Sequence, residues 1–205
     1  MLKRMSKRLA VLVGVMALAV SCGAADFSAD MITKAGKMTV TGKVYRKGNL
    51  IRQDTKSPMG NRIIILRQDK KVMWMLDPAT KTYVELPMRE KVDFAKLGED
   101  ARLKKMAVKK PMGREKVNGV LCDKFQLVYK DKRMGTSTHW VSNDLQWPIK
   151  TESKGPNTML MECKNIKVGA QPMSLFELPK GYKKTKMPSG GPMGMGMPKM
   201  PRKPH

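Results

Sequence analysis

Histidine, aromatic side chains and acids are all scarce in this chain of 205 residues. Two histidines, His139 and His205, leave general acid–base chemistry almost without its usual group. Neither Gly-x-Ser-x-Gly, His-Glu-x-x-His nor a phosphate-cradling glycine loop occurs. His139 lies beside Trp140 in a strand-like stretch and reads as a packing residue rather than a general base. No enzymatic activity, cofactor or catalytic residue is therefore expected. Long apolar runs are missing too. The longest, LAVLVGVMALAV at residues 9–20, is short of the roughly twenty residues that a spanning helix needs.

Base is abundant: 41 Lys and Arg against 17 Asp and Glu give a formal charge of +24. Four of these charges sit at the extreme N-terminus and six in the tail, which leaves +14 for the body. Such a body attracts anionic surfaces. The N-terminus narrows the choice of surface. MLKRMSKR followed by the twelve-residue apolar core and then SCGAADF has the layout of a secretory leader over residues 1–25. Export to a periplasmic compartment removes nucleic acid from the partners and leaves anionic envelope lipid among them. Ala19-Val20-Ser21-Cys22 is similar to the lipobox of bacterial lipoproteins, with Ala where Leu is usual. Lipidation at Cys22 and plain cleavage after Ala24 or Ala25 both remain open. In either case Cys122 and Cys163 are left as a pair, for which an oxidising compartment predicts a disulfide. The alternative is two buried, unpaired thiols.

From residue 26 the pattern is that of strands. Residues 37–46, KMTVTGKVYR, alternate with period two, and residues 50–55 return after the Lys47-Gly48-Asn49 turn. Three apolar runs, 63–66, 72–76 and 83–86, are separated by Gln68-Asp69-Lys70-Lys71 and by Asp77-Pro78-Ala79-Thr80, which predicts an antiparallel meander. Residues 89–105 change towards helical spacing, with Val92, Phe94, Leu97 and Leu103 on an apolar stripe. Strands resume at 114–117 and 121–130 around Asn118-Gly119, a strong hairpin signal. They continue at 136–141, 148–153 and 158–167, before a docking turn at 174–179. Residues 185–205 are low in complexity, rich in Met, Gly, Pro and Lys, and are expected to be disordered.

Several phrases resemble a known family: TGKVYRKGNLIR, IIILRQDKKVMWMLDPATKTYVEL, EKVNGVLCDKFQL, HWVSNDLQWPIK and SLFELPKGYKK. The chain resembles the LolA-like superfamily, the periplasmic lipoprotein-carrier fold, in a branch known only as a domain of unknown function. The resemblance spans residues 26–184. It implies a mainly β fold: a strongly curved antiparallel sheet, an unclosed half-barrel, of about eleven strands. One or two short helices would cover its concave face. It also implies a non-enzymatic envelope protein holding a lipid or a lipidated protein between sheet and helices. The carrier's latching arginine cannot be placed by motif among Arg46, Arg52, Arg62 and Arg67.

Candidate cleft residues are Ile63, Ile65, Met73, Met75, Trp74, Phe94 and Leu97, with Ile64, Leu66, Val72 and Trp74 as the alternate strand set. Methionine is flexible and polarizable, and Met31, Met38, Met159 and Met161 also fall in strands, so a methionine-lined apolar surface is a second expectation. An apolar void of about 300 Å³ or more between sheet and helices separates a ligand carrier from a module that acts through its basic surface. The tail methionines Met193, Met195, Met197 and Met200, with His205, form a soft-ligand set suited to Cu(I).

Overall fold

The computed structural model describes residues 24–88, 93–97, 99, 101–156 and 158–186. The leader with Cys22 and the tail methionines with His205 lie outside them. Among the described residues twelve strands make one open sheet. They are β1 (Phe27–Ala35), β2 (Met38–Lys47), β3 (Leu50–Ser57), β4 (Gly60–Arg67), β5 (Val72–Asp77), β6 (Thr82–Pro87), β7 (Ala107–Val117), β8 (Val120–Tyr129), β9 (Thr136–Ser142), β10 (Trp147–Lys154), β11 (Met159–Val168) and the two-residue β12 (Lys183–Lys184). The order across the sheet is β12-β6-β5-β4-β3-β2-β1-β11-β10-β9-β8-β7. All pairings are antiparallel except β12 with β6. The first strand is thus central, flanked by β2 and β11, and the two outer edges are β7 and the β6–β12 pair.

Local chemistry explains the turns. Asn118 and Gly119 both take positive φ, 48° and 85°, as a two-residue hairpin requires. At Gly42 a Cβ would fall on the Asp54 carbonyl oxygen, so β2 and β3 approach too closely for any side chain. The sheet also curls enough for the β7–β8 turn to touch β11, three strands away from β8. Asn118 Nδ2 donates to Glu162 Oε1 at 3.0 Å and to the Cys163 carbonyl at 2.8 Å.

The helical expectation needs correction. In place of one or two amphipathic helices over residues 89–105, the described residues hold a 3₁₀ turn, Phe94–Lys96, and one helix, α1 (Ala101–Met106). The chain passes from Met106 directly into β7. Phe94 and Leu97, together with Leu103 of α1, pack on the sheet, but a helical cover over a whole face is not seen among the described residues.

The disulfide expectation is also overturned. Cys122 and Cys163 are buried free thiols. The continuous registers put Cys122 on the same face as Lys124 and Trp140, and Cys163 on the opposite face with Met31 and Met161. Burial pushes both thiols up to about 11, which keeps them protonated at neutral pH.

Candidate functional site: a methionine face and a strapped face

Strand alternation divides the sheet into two faces. The β4–β5 register pairs Leu66 with Met73 and Ile64 with Met75, while Ile65 pairs with Trp74 and Ile63 with Leu76. Both expected groupings are therefore crossed. Ile64, Leu66, Met73 and Met75 share one face, and Ile63, Ile65, Val72 and Trp74 share the other. The four-residue turn after Arg67 pairs Arg67 with Val72, which sets this parity.

On the first face the registers form continuous rows. Leu86, Met73, Leu66, Ile51, Arg46 and Phe27 make one, and Val84, Met75, Ile64, Gln53, Val44 and Ala29 the next. Met31 pairs with Gly42 and Cys163, Met161 with Thr33 and Thr151, and Met159 and Met38 both with Ala35. All six methionines at 31, 38, 73, 75, 159 and 161 thus lie on one face, and each is only partly buried. At one end of this face Trp147 packs Phe27 at 5.9 Å and Phe94 at 4.5 Å between ring centroids. Leu97 and Leu103 cover Phe125, Leu127 and Val141 at the β8–β9 side. Phe94 thus packs on Trp147, and Leu97 on the Phe125, Leu127 and Val141 cluster.

One polar cluster interrupts it. His139 stacks on Phe125 with centroids 5.2 Å apart, its Nε2 2.9 Å from Ser137 Oγ and its Nδ1 3.3 Å from Thr151 Oγ1. Burial, aided by nearby Lys109, lowers its pKa to about 4, so the ring is neutral. Both ring nitrogens face hydroxyls, and the third group that would orient a catalytic base is a threonine. The cluster satisfies a buried imidazole.

The opposite face is occupied. Leu50, Ile65, Trp74 and Leu76 are buried under Leu175, Phe176, Leu178 and Tyr182 of the C-terminal strap, residues 173–182. Trp74 sits beneath it and donates from Nε1 to Glu85 at 3.0 Å. Ile63, Ile65 and Trp74 are therefore removed from the methionine face. Further along, Trp140 is covered by Lys124 and Lys150 at 4.9 and 4.5 Å, and donates to Glu115.

Sequence reasoning missed the arginines that hold the strap. Arg67 Nη1 donates to the Phe176 carbonyl at 3.1 Å and to Glu177 Oε1 at 2.6 Å; Arg52 Nη1 donates to the Leu175 carbonyl at 3.0 Å. Each guanidinium is aimed by an aspartate two residues on, within the repeated tripeptide Arg-Gln-Asp at 52–54 and 67–69. That repeat was the available signal. Arg67 beside it holds the Asp69 carboxyl down to about 2. Arg46 instead ties the turn before β10, donating to the carbonyls of Leu145 and Gln146. Arg62 is largely exposed and lies 3.7 Å from Asp77. A cavity of about 490 Å³ lies elsewhere, lined by Asp30, Lys43, Asn165 and Lys167 among others. Its polar lining is unlike the methionine face.

Comparison with known proteins agrees with this architecture. No curated protein matches the sequence. An uncharacterised conserved protein of Thermus thermophilus superposes with a TM-score of 0.58 at 10% identity, covering 80% of this chain and 91% of that one. A chain of the Pseudomonas aeruginosa MucA/MucB complex gives 0.51 at 11% identity, over 72% of this chain and 53% of that one. This chain thus spans about half of its length. A LolA superfamily protein from Nitrosomonas europaea matches with a TM-score of 0.31 at 12% identity, over 76% and 91%. At these identities the first two likenesses show a shared fold. The family model described as "Domain of unknown function (DUF4412)" matches residues 26–147, more than half of the sequence, and the chain belongs to that family.

Proposed function

We propose that this protein is a non-enzymatic component of the bacterial envelope whose methionine face receives a hydrophobic or lipid-bearing partner. One observation carries the reading. Six partly buried methionines, with Ile64, Leu66, Val84 and Leu86, share a single face, while the strap occupies the other. Unbranched thioether side chains adapt to ligands of varied shape, and an apolar surface of this extent gains from being covered. The fold also occurs in a chain that assembles with another protein, in the MucA/MucB complex. Export fits the leader-like residues 1–25, and the family match begins at residue 26. The mass of the mature N-terminus decides between lipidated Cys22 and cleavage after Ala24 or Ala25.

The test is to purify the full protein from its envelope, extract it with organic solvent and identify what is released. An acyl-bearing lipid is expected, and the delipidated protein should take up a fluorescent fatty acid. Delipidated protein that takes up no such probe would sink the proposal.

A further inference from the structure

We infer that the β7 edge of the sheet docks on an anionic lipid bilayer surface. From Val108 to Lys116 every residue of this edge strand is exposed, nine in succession. At about 3.3 Å per residue, eleven-residue β7 runs for roughly 35 Å. Lys104 and Lys105 of α1 lead into it, and Lys109, Lys110, Arg114 and Lys116 follow. Glu115 is the one acid between residues 101 and 122, and it is taken by Lys124 at 2.8 Å and by Trp140. Lys109 pairs with Glu99 and Arg114 with Asp123. Among the described residues Lys104, Lys105, Lys110 and Lys116 have no ion-pair partner. Val108 and Met112 lie among these charges on β7 and Leu121 lies opposite Lys116 on β8, about half exposed at 51, 48 and 55%.

The chemistry selects the partner. Edge strands guarded by lysine and proline resist the addition of another strand. Here Pro111 lacks an N–H, and the register shifts between Pro111 and Arg114. A small anion would engage only a fraction of so long a row. Single-stranded nucleic acid would want aromatic stacking groups, and β7 has none. A lipid surface supplies phosphates along the whole length and an apolar boundary for Val108, Met112 and Leu121. The inference is independent of what the methionine face binds.

The full-length protein is sedimented with vesicles of phosphatidylcholine alone and of phosphatidylcholine mixed with phosphatidylglycerol. Lys110→Glu/Lys116→Glu is compared with Lys34→Glu/Lys37→Glu, which makes the same charge change at the exposed β1–β2 turn. Partitioning to the anionic vesicles should fall about tenfold or more in the first pair and about twofold in the second, given roughly a fivefold effect per surface-facing charge. Equal losses would mean that only the overall charge matters, and unchanged binding in the first pair would exclude the edge; either result overturns the inference. A fluorophore on Met112→Cys should shift to the blue on anionic vesicles, while one on Lys37→Cys should not. Absence of the Met112 shift would also overturn it. So would loss of duplex DNA binding in the first pair with vesicle binding intact.

Discussion

Arg67 and Asp69 form a two-point ion pair, Nε to Oδ1 at 2.9 Å and Nη2 to Oδ2 at 2.7 Å, that aims the remaining Nη1 at the C-terminal strap. Arg67 is 3% exposed, so solvent does not compensate when it is removed. Arg67→Met should cost roughly 2–3 kcal/mol in urea unfolding, as expected for lost hydrogen bonds to charged groups. It should also open residues 173–182 to proteolysis before the sheet itself is cut. A variant with unaltered strap protection would show that apolar contacts alone hold the strap.

Phe176 fills the other half of that contact and is fully buried against Leu50, Ile65, Trp74 and Leu76. Phe176→Ala should cost about 3–5 kcal/mol, the usual range for emptying an aromatic site. A loss under about 1 kcal/mol would indicate that the strap collapses into the space.

The meander and its turns were legible in the sequence because period-two alternation and Asn-Gly or Asp-Pro turns act locally. The pairing of β1 with β11 that makes β1 central joins strands more than a hundred residues apart and left no local signal. The start of β7 was not legible either. KKPMGREK is polar and contains proline, which an edge strand accepts and a central strand does not. Which face Ile63 or Met73 occupies was hidden for another reason: in the continuous apolar run 63–66 both faces look alike, and only the turn length sets the parity. The cysteine pair misled because face assignment between β8 and β11 depends on two intervening strands. Arg52 and Arg67 stood in a visible repeat, yet their acceptors are backbone carbonyls more than a hundred residues away.

His139 makes stability depend on pH. Its folded-state pKa of about 4 lies below the ordinary 6.5, so above pH 6.5 both states are neutral and the full stability is present. As pH falls from 6.5 towards 4 the unfolded chain takes up a proton that the folded chain refuses. Stability should then drop by up to about 3 kcal/mol, levelling below pH 4. His139→Gln should flatten that part of the profile. An unchanged slope would assign the acid sensitivity to other groups.

Gly42 and Gly36 separate two kinds of glycine. Gly42→Ala puts a methyl against the Asp54 carbonyl of a neighbouring strand, and backbone cannot step aside; roughly 2 kcal/mol or more should be lost. Gly36 has φ of 58° and open space around it, so Gly36→Ala should cost only about 1 kcal/mol of backbone strain. Equal costs in thermal unfolding would contradict the close β2–β3 approach.

The free thiols should be silent in the folded state. Cys122 and Cys163 should react with a thiol reagent only after denaturation, and reduction of protein recovered from the envelope should leave its mass unchanged.

Methionine oxidation with and without a bound fatty acid reads the proposed ligand face most directly, because the molecule carries its own controls. Met59, Met134 and Met173 lie outside the strands that carry the methionine face and are exposed, at 70, 41 and 41%. Bound fatty acid should slow peroxide oxidation of Met31, Met73, Met75, Met159 and Met161 to their sulfoxides and leave the three controls unchanged. Uniform rates at all eight positions, or protection confined to the controls, would contradict the assignment of this face as the ligand site.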